Sequence, residues 1–313
     1  MPAQFNLPPL RETLPMKILL AVDGSAHSLA ACRYLAAFPL GKPTEVEILT
    51  VVNPPDVVLT GQTELWYPQF IEHQEERARQ VTETARDAIS HLDASVTSHQ
   101  MTGHIGHCIV ERAKENQADV VVVAAKGHSA FERVLLGSVS DYVATHAACS
   151  VLVVRPEIGE DGQPVQDVPE GRIGHATIAV DNREVSTKLM DELCQFAWTD
   201  QHHLVAITAS VKLEVFREDI LATTMEEAAR RRTEARRCAD AASERLLECG
   251  ARSEGYSIEV EHVGEGLVDF AESNHSDLIV LGDTGRSALS RFFLGSTSRY
   301  VLHHVHCSVL IIR

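Results

Sequence analysis

The sequence predicts two consecutive doubly wound α/β domains, each built on a five-stranded parallel sheet. Three observations support this. The chain repeats itself, short apolar runs alternate with longer helical patterns, and a glycine-bearing loop follows the fourth run of each repeat.

The repeat has one constant offset of 158 residues. It carries Asp23 onto Asp181, Gly106 onto Gly264, Asp119 onto Asp277, Gly127 onto Gly285, Gly137 onto Gly295 and Cys149 onto Cys307. GSVSDYVATHAACSVLVVR (137–155) lies over GSTSRYVLHHVHCSVLIIR (295–313) without a gap. Self-similarity at a fixed period marks a duplicated unit. The units are an extension at 1–15, domain one at 16–155, a Pro/Gly/acid-rich linker at 156–172, and domain two at 173–313.

In the first unit the apolar runs are KILLAV, EVEILTVV, SVTSHQM, DVVVVAA and SVLVV. In the second they are ATIAV, HLVAIT, SIEVEHV, DLIVLG and SVLII. Runs without polar alternation, separated by helices, belong to parallel sheets covered on both faces. Both repeats close on an edge strand whose backbone groups lack a partner, so residues 150–155 and 308–313 are expected to pair across a pseudo-twofold.

A length of 313 residues with 44% hydrophobic content suits two cores. The net charge of −16, from 28 Lys+Arg against 44 Asp+Glu, argues against nucleic-acid and anionic-membrane partners. The one dense basic run, RRRTEARR at 230–237, sits beside Glu226, Glu227 and Glu234 and reads as a solvated helix face laced with i,i+4 pairs. No apolar run reaches membrane-spanning length, prolines interrupt the N-terminus, and seven cysteines without a CxxC suggest reduced thiols. A cytoplasmic location is expected.

Ligands of doubly wound sheets bind at the carboxyl ends of the strands. Here that crevice is rimmed by AVDGS and AVDNRE after strand one, and by residues 124–140 and 281–298 after strand four. The second of these loops reads Gly282-x2-Gly285-x9-Gly295-Ser296 and opens a helix. Glycines admit close approach of backbone N–H groups to an anion, and a helix N-terminus adds unpaired N–H groups and a positive dipole end.

With the aspartate after strand one, these features resemble the universal stress protein family in its tandem form, over nearly the whole chain. The resemblance implies an adenine nucleotide alpha hydrolase-like fold with strand order 3-2-1-4-5. It implies ATP with Mg²⁺ or Mn²⁺, adenine and ribose near Ala179, Val180 and Asp181, and phosphates along Gly282, Thr284, Gly285, Arg286, Gly295, Ser296, Thr297 and Ser298. In domain one the matching residues are Asp23, Gly127, Gly137, Ser138 and Ser140, but Ala124 replaces the first glycine. A methyl group there costs ~1 kcal/mol or more if the position needs positive φ, and otherwise only crowds the nucleotide. The second domain, which has Asn182 and Arg183 where the first has Gly24 and Ser25, is the expected principal site. Asp283 beside its loop repels phosphate unless it faces away or meets the metal.

The resemblance further implies a stress-response role through nucleotide-dependent contacts with an unidentified protein partner, in a homodimer of tandem chains. It implies at most slow ATP hydrolysis, since no residue is an obvious base for water. The tetrapeptide HIGH within Gly103 to His107, which elsewhere holds ATP in nucleotidyl transferases, follows the outer third strand and reads as a chance match. His146 and His304 are expected to complement helix C-termini rather than bind zinc. A scaffold for an apolar metabolite is the alternative function, motivated by Trp66, Tyr67 and Phe70 near the first crevice, on a long movable loop expected over 53–70.

Overall fold

The computed structural model describes residues 15–41, 43–54, 63–126, 136–157, 159, 164–165, 173–181, 184–212, 221–283 and 294–313. The first half runs β1 (Met16–Val22), α1 (Ala26–Ala36), β2 (Thr44–Val52), α2 (Thr63–Ala88), β3 (Ala94–Thr102), α3 (Ile105–Glu115), β4 (Val120–Ala124), α4 (Ser138–His146) and β5 (Ser150–Val154). The second runs β6 (His175–Ala179), α5 (Glu184–Leu193), β7 (His203–Val211), α6 (Leu221–Glu248), β8 (Arg252–Val260), α7 (Val263–Ser273), β9 (Leu278–Gly282), α8 (Ser296–His304) and β10 (Ser308–Ile312).

All ten strands form one sheet in the order β3-β2-β1-β4-β5-β10-β9-β6-β7-β8. Each half keeps the order 3-2-1-4-5, and its internal pairings are parallel. The halves join where β5 and β10 pair antiparallel, Val151 opposite Ile311 and Val153 opposite Val309. The two closing strands, exposed edges in an isolated repeat, thus become the centre of the sheet.

Alternation along the strands explains the layers. Ile18, Leu20 and Val22 point to one face, under α1, α2, α5 and α6, whereas Leu19 points to the other, under α3, α4, α7 and α8. Both cores run through both halves: Ile18 and Ile178 share one, Leu19 and Ile279 the other. At the margin of the seam Phe38 packs its ring edgewise on Phe196 and Trp198, and Ala197 N–H donates to the Pro39 carbonyl at 2.8 Å.

Glu47 is a charge buried inside the first half. Glu47 on β2 accepts from Arg112 Nη2 at 2.6 Å and from Asn116 Nδ2 at 2.7 Å, with its side chain 7% exposed. Removing it strands a partly buried guanidinium and an amide. Glu47→Ala is therefore expected to destabilise the protein by about 2–3 kcal/mol, read as a lower urea midpoint at unchanged slope.

Several local expectations change. Residues 63–70 are not loop: α2 begins at Thr63 and carries Pro68 in its early turns, leaving 55–62 outside the described residues. As the sixth residue of the helix, Pro68 gives up the i→i−4 bond to the Glu64 carbonyl that another residue would make there. The strand expected at SIEVEHV is β8 at Arg252–Val260, and His262 already caps α7. An outer strand with a half-solvated face carries a weak apolar signature, which displaced the expected start. Cys194 and Cys249, which follow α5 and α6, form a disulfide with Cα atoms 5.4 Å apart. The expectation that all seven thiols are reduced is therefore corrected. At a sequence separation of 55, their spacing offers no cue.

The basic run behaves as expected on an exposed face of α6: Arg230 and Arg231 bond Glu227, and Arg236 bonds Asp240. HIGH spans the cap and first turn of α3 after the outer strand β3. Its glycine, Gly106, is there for packing, because a Cβ would lie 2.7 Å from the Tyr142 ring. Gly264 meets Tyr300 at 2.8 Å in the same way. His146 and His304 bond the carbonyls of Tyr142 and Tyr300 one turn earlier, at 2.8 and 2.7 Å, and stack on the same tyrosines. Among the described residues no helix is long and apolar enough to cross a membrane.

Candidate functional site

A cavity opens at the carboxyl end of the parallel strands in each half. The first, about 280 Å³, lies between Asp23 after β1 and the start of α4, with Ala124, Lys126, Gly137 and Ser138 in its wall and Leu49 and Ile109 behind. The second, about 210 Å³, places Ala179, Val180 and Asp181 opposite Gly282, Thr297 and Ser298.

The aspartates are held in place from nearby. Asp23 Oδ1 accepts from the backbone of Ser25 at 2.9 Å, and Ser25 in turn caps α1 by accepting from Ser28 N–H at 3.1 Å. In the second half Ser186 does this work: its hydroxyl donates to Asp181 Oδ1 at 2.9 Å and accepts from Asp181 N–H at 2.8 Å.

The opposite wall is a helix N-terminus of unusual plainness. Gly137 and Gly295 occupy the cap positions of α4 and α8, and neither helix has a side-chain cap. Ser138 and Ser296 are the first helical residues and do not cap. Ser140 and Ser298 turn their hydroxyls inward, to the carbonyls of Ala125 at 2.8 Å and Gly282 at 2.9 Å, which ties each helix to the strand before it. What these helices offer the cavities is therefore backbone N–H, with the positive end of the dipole behind it.

Three placements bear on the sequence expectations. Ala124 is not among the described residues with positive φ, so its methyl crowds the cavity without backbone strain. Asp283 faces away from the cavity: its carboxylate lies 3.7 Å from Arg313 Nε, and its N–H bonds the Ile312 carbonyl. Gly127, Asn182, Arg183, Thr284, Gly285 and Arg286 fall outside the described residues. Tyr67 and Phe70 sit on α2 and are not among the residues lining the first cavity, and the Trp66 side chain is not described.

Lys126 was not anticipated. It is 9% exposed and lines the first cavity two residues beyond β4. The signal was present, since the 158-residue offset pairs it with Thr284, but a lone lysine beside a glycine carries little meaning until a cavity surrounds it. His27 on α1 feels it: burial, and then the Lys126 charge, hold the imidazole below its ordinary 6.5, opposed by Asp23. A histidine depressed in the folded state binds its proton more readily when unfolded. The folded protein therefore loses this contribution as pH falls below 6.5 through the lowered folded value, and holds it in full above.

The model for the universal stress protein family matches the chain twice, over residues 16–155 and 173–313. The chain belongs to this family. A universal stress protein of Mycolicibacterium smegmatis is 26% identical over 317 residues, covering 95% of this chain and 96% of the relative. One from Synechocystis is 41% identical over 81 residues, which is 26% of this chain and about half, 52%, of that relative. Among solved structures, a universal stress protein from Archaeoglobus fulgidus has the same fold, with a TM-score of 0.61, 18% identity, and coverage of 95% of this chain and 96% of that one. The tandem universal stress protein architecture thus extends through nearly the whole chain.

Proposed function

We propose that this universal stress protein binds ATP at the carboxyl ends of its half-sheets, chiefly in the second domain, and presents a nucleotide-dependent surface to a protein partner in the cytoplasm during stress. One observation carries the reading: in each half a helix with a glycine cap and no side-chain cap opens on a cavity whose other wall holds an oriented aspartate. Phosphate oxygens suit the unpaired N–H groups, and Asp23 or Asp181 suits ribose hydroxyls.

The second domain carries the whole glycine spacing, Gly282, Gly285, Gly295 and Ser296, with Thr284 and Arg286 in the same loop. The first offers an alternative chemistry, Lys126 supplying charge where Ala124 takes space. Among the described residues no three His, Cys, Asp or Glu side chains gather as a metal site. Mg²⁺ or Mn²⁺ would enter with the triphosphate. The role is binding, with slow hydrolysis at most, and the tandem chain would itself form homodimers.

The test is to purify the protein without added nucleotide, denature it, quantify released nucleotide by chromatography, and titrate the stripped protein with ATP. About one ATP per chain supports the second site and about two support both. No nucleotide and no titratable affinity overturns the reading. Occupation of the first cavity should also offset the Lys126 charge, so the His27 titration followed by NMR is expected to move upward on ATP addition.

A further inference from the structure

Arg155 and Arg313 end β5 and β10, are 158 residues apart, and cross the seam in opposite directions. Arg313 reaches back to α4, donating to the carbonyls of Ala144 and Cys149. Arg155 reaches forward to α8, where Nη2 donates to the Leu302 carbonyl at 2.7 Å. Each guanidinium closes the C-terminal end of the other half's helix.

The symmetry stops at the countercharge. Arg313 Nε faces Asp283, whereas the position that would serve Arg155 is Ala125. Arg155 Nε is buried without a hydrogen-bond partner among the described residues, and burial pulls the guanidinium below its usual value. A half-buried cation whose side chain meets, among the described residues, a carbonyl oxygen and no carboxylate calls for an anion.

Beside it lies a groove of about 350 Å³ between the halves, whose lining includes Pro156, Val165, Ala30, Val154, Ala271 and Val305. Three carboxylates also border it. Glu272 is held by His306 Nδ1 at 2.5 Å, Asp277 accepts from His175 N–H at 3.0 Å, and Glu157 belongs to the linker. Their presence makes the groove hostile to a polyanion such as ATP, while its apolar walls favour a hydrocarbon body. We infer that this groove is a second kind of binding site, in which Arg155 takes the head group of a monoanionic amphiphile, a carboxylate with an apolar tail.

The experiment is calorimetric titration of octanoate into the whole chain already saturated with ATP, with methyl octanoate as the uncharged probe. One saturable octanoate site per chain is expected, with at least tenfold weaker binding of the ester. Arg155→Met should weaken octanoate at least tenfold. Because that change also uncaps α8, Val165→Trp, which fills the groove from the linker and leaves Arg155 in place, should abolish binding in a chain whose circular dichroism is unchanged. Absence of saturable octanoate binding, equal binding of the ester, or undiminished binding in the folded Val165→Trp protein would overturn the assignment.

Discussion

Deleting Ser308 to Arg313 is expected to unfold both halves of the protein, although all six residues belong to the second. The deletion removes Val309, Leu310, Ile311 and Ile312, each at most 3% exposed, and lays bare Val151, Leu152 and Val153 across the seam. Four buried aliphatic side chains contribute about 6–12 kcal/mol. That is comparable to the entire ~5–15 kcal/mol stability of a folded domain. The caps that Arg313 places on α4 go as well. Amide hydrogen exchange gives the decisive measurement, since strands β1 and β2 should lose protection in the truncated chain. Full protection there would mean that the first half stands without the seam.

Gly295→Asp is expected to remove ATP from the second domain while leaving the fold intact. Gly295 has φ −60° and ψ 153°, a conformation open to any residue, and it is the cap of α8. Aspartate is among the best capping residues, so the new carboxylate would bond the first-turn N–H groups and stabilise the helix by roughly a few tenths of a kcal/mol over glycine. The same carboxylate would occupy the place proposed for phosphate and add negative charge to it. Affinity at that site should fall by at least about 100-fold, equivalent to ~2.7 kcal/mol. Calorimetric titration alongside a melting curve separates the two effects. Unchanged ATP stoichiometry in a protein that melts at or above the wild-type temperature would sink the site assignment.

Much of this architecture was legible because it rests on patterns that survive in one dimension. The constant offset exposes the duplication, the unbroken apolar runs expose a sheet covered on both faces, and two closing runs as apolar as SVLVV and SVLII demand a partner, which turned out to be each other. The aspartate after strand one and the glycine before α4 or α8 were legible for the same reason, each marking an end of a regular element. What escaped depends on convergence of distant segments. Cys194 meets Cys249 only because α5 and α6 end side by side. Asp283 turns from its loop only because Arg313 arrives from the end of the chain. Lys126 acquires meaning from the cavity around it, and β8 was misjudged because a strand wetted on one face has a diluted apolar signal.

The antiparallel seam has one more consequence. Because β5 and β10 belong to one polypeptide, their association is unimolecular, and dilution cannot separate the two halves as it would two subunits. Nor can like pair with like. Every molecule joins one copy of the repeat bearing Ala124 and Lys126 to one bearing Gly282 and Thr284, with no statistical mixture of pairings. A duplicated gene product held this way is a permanent heterodimer at fixed one-to-one stoichiometry, free to let its two cavities diverge without ever losing the contrast between them.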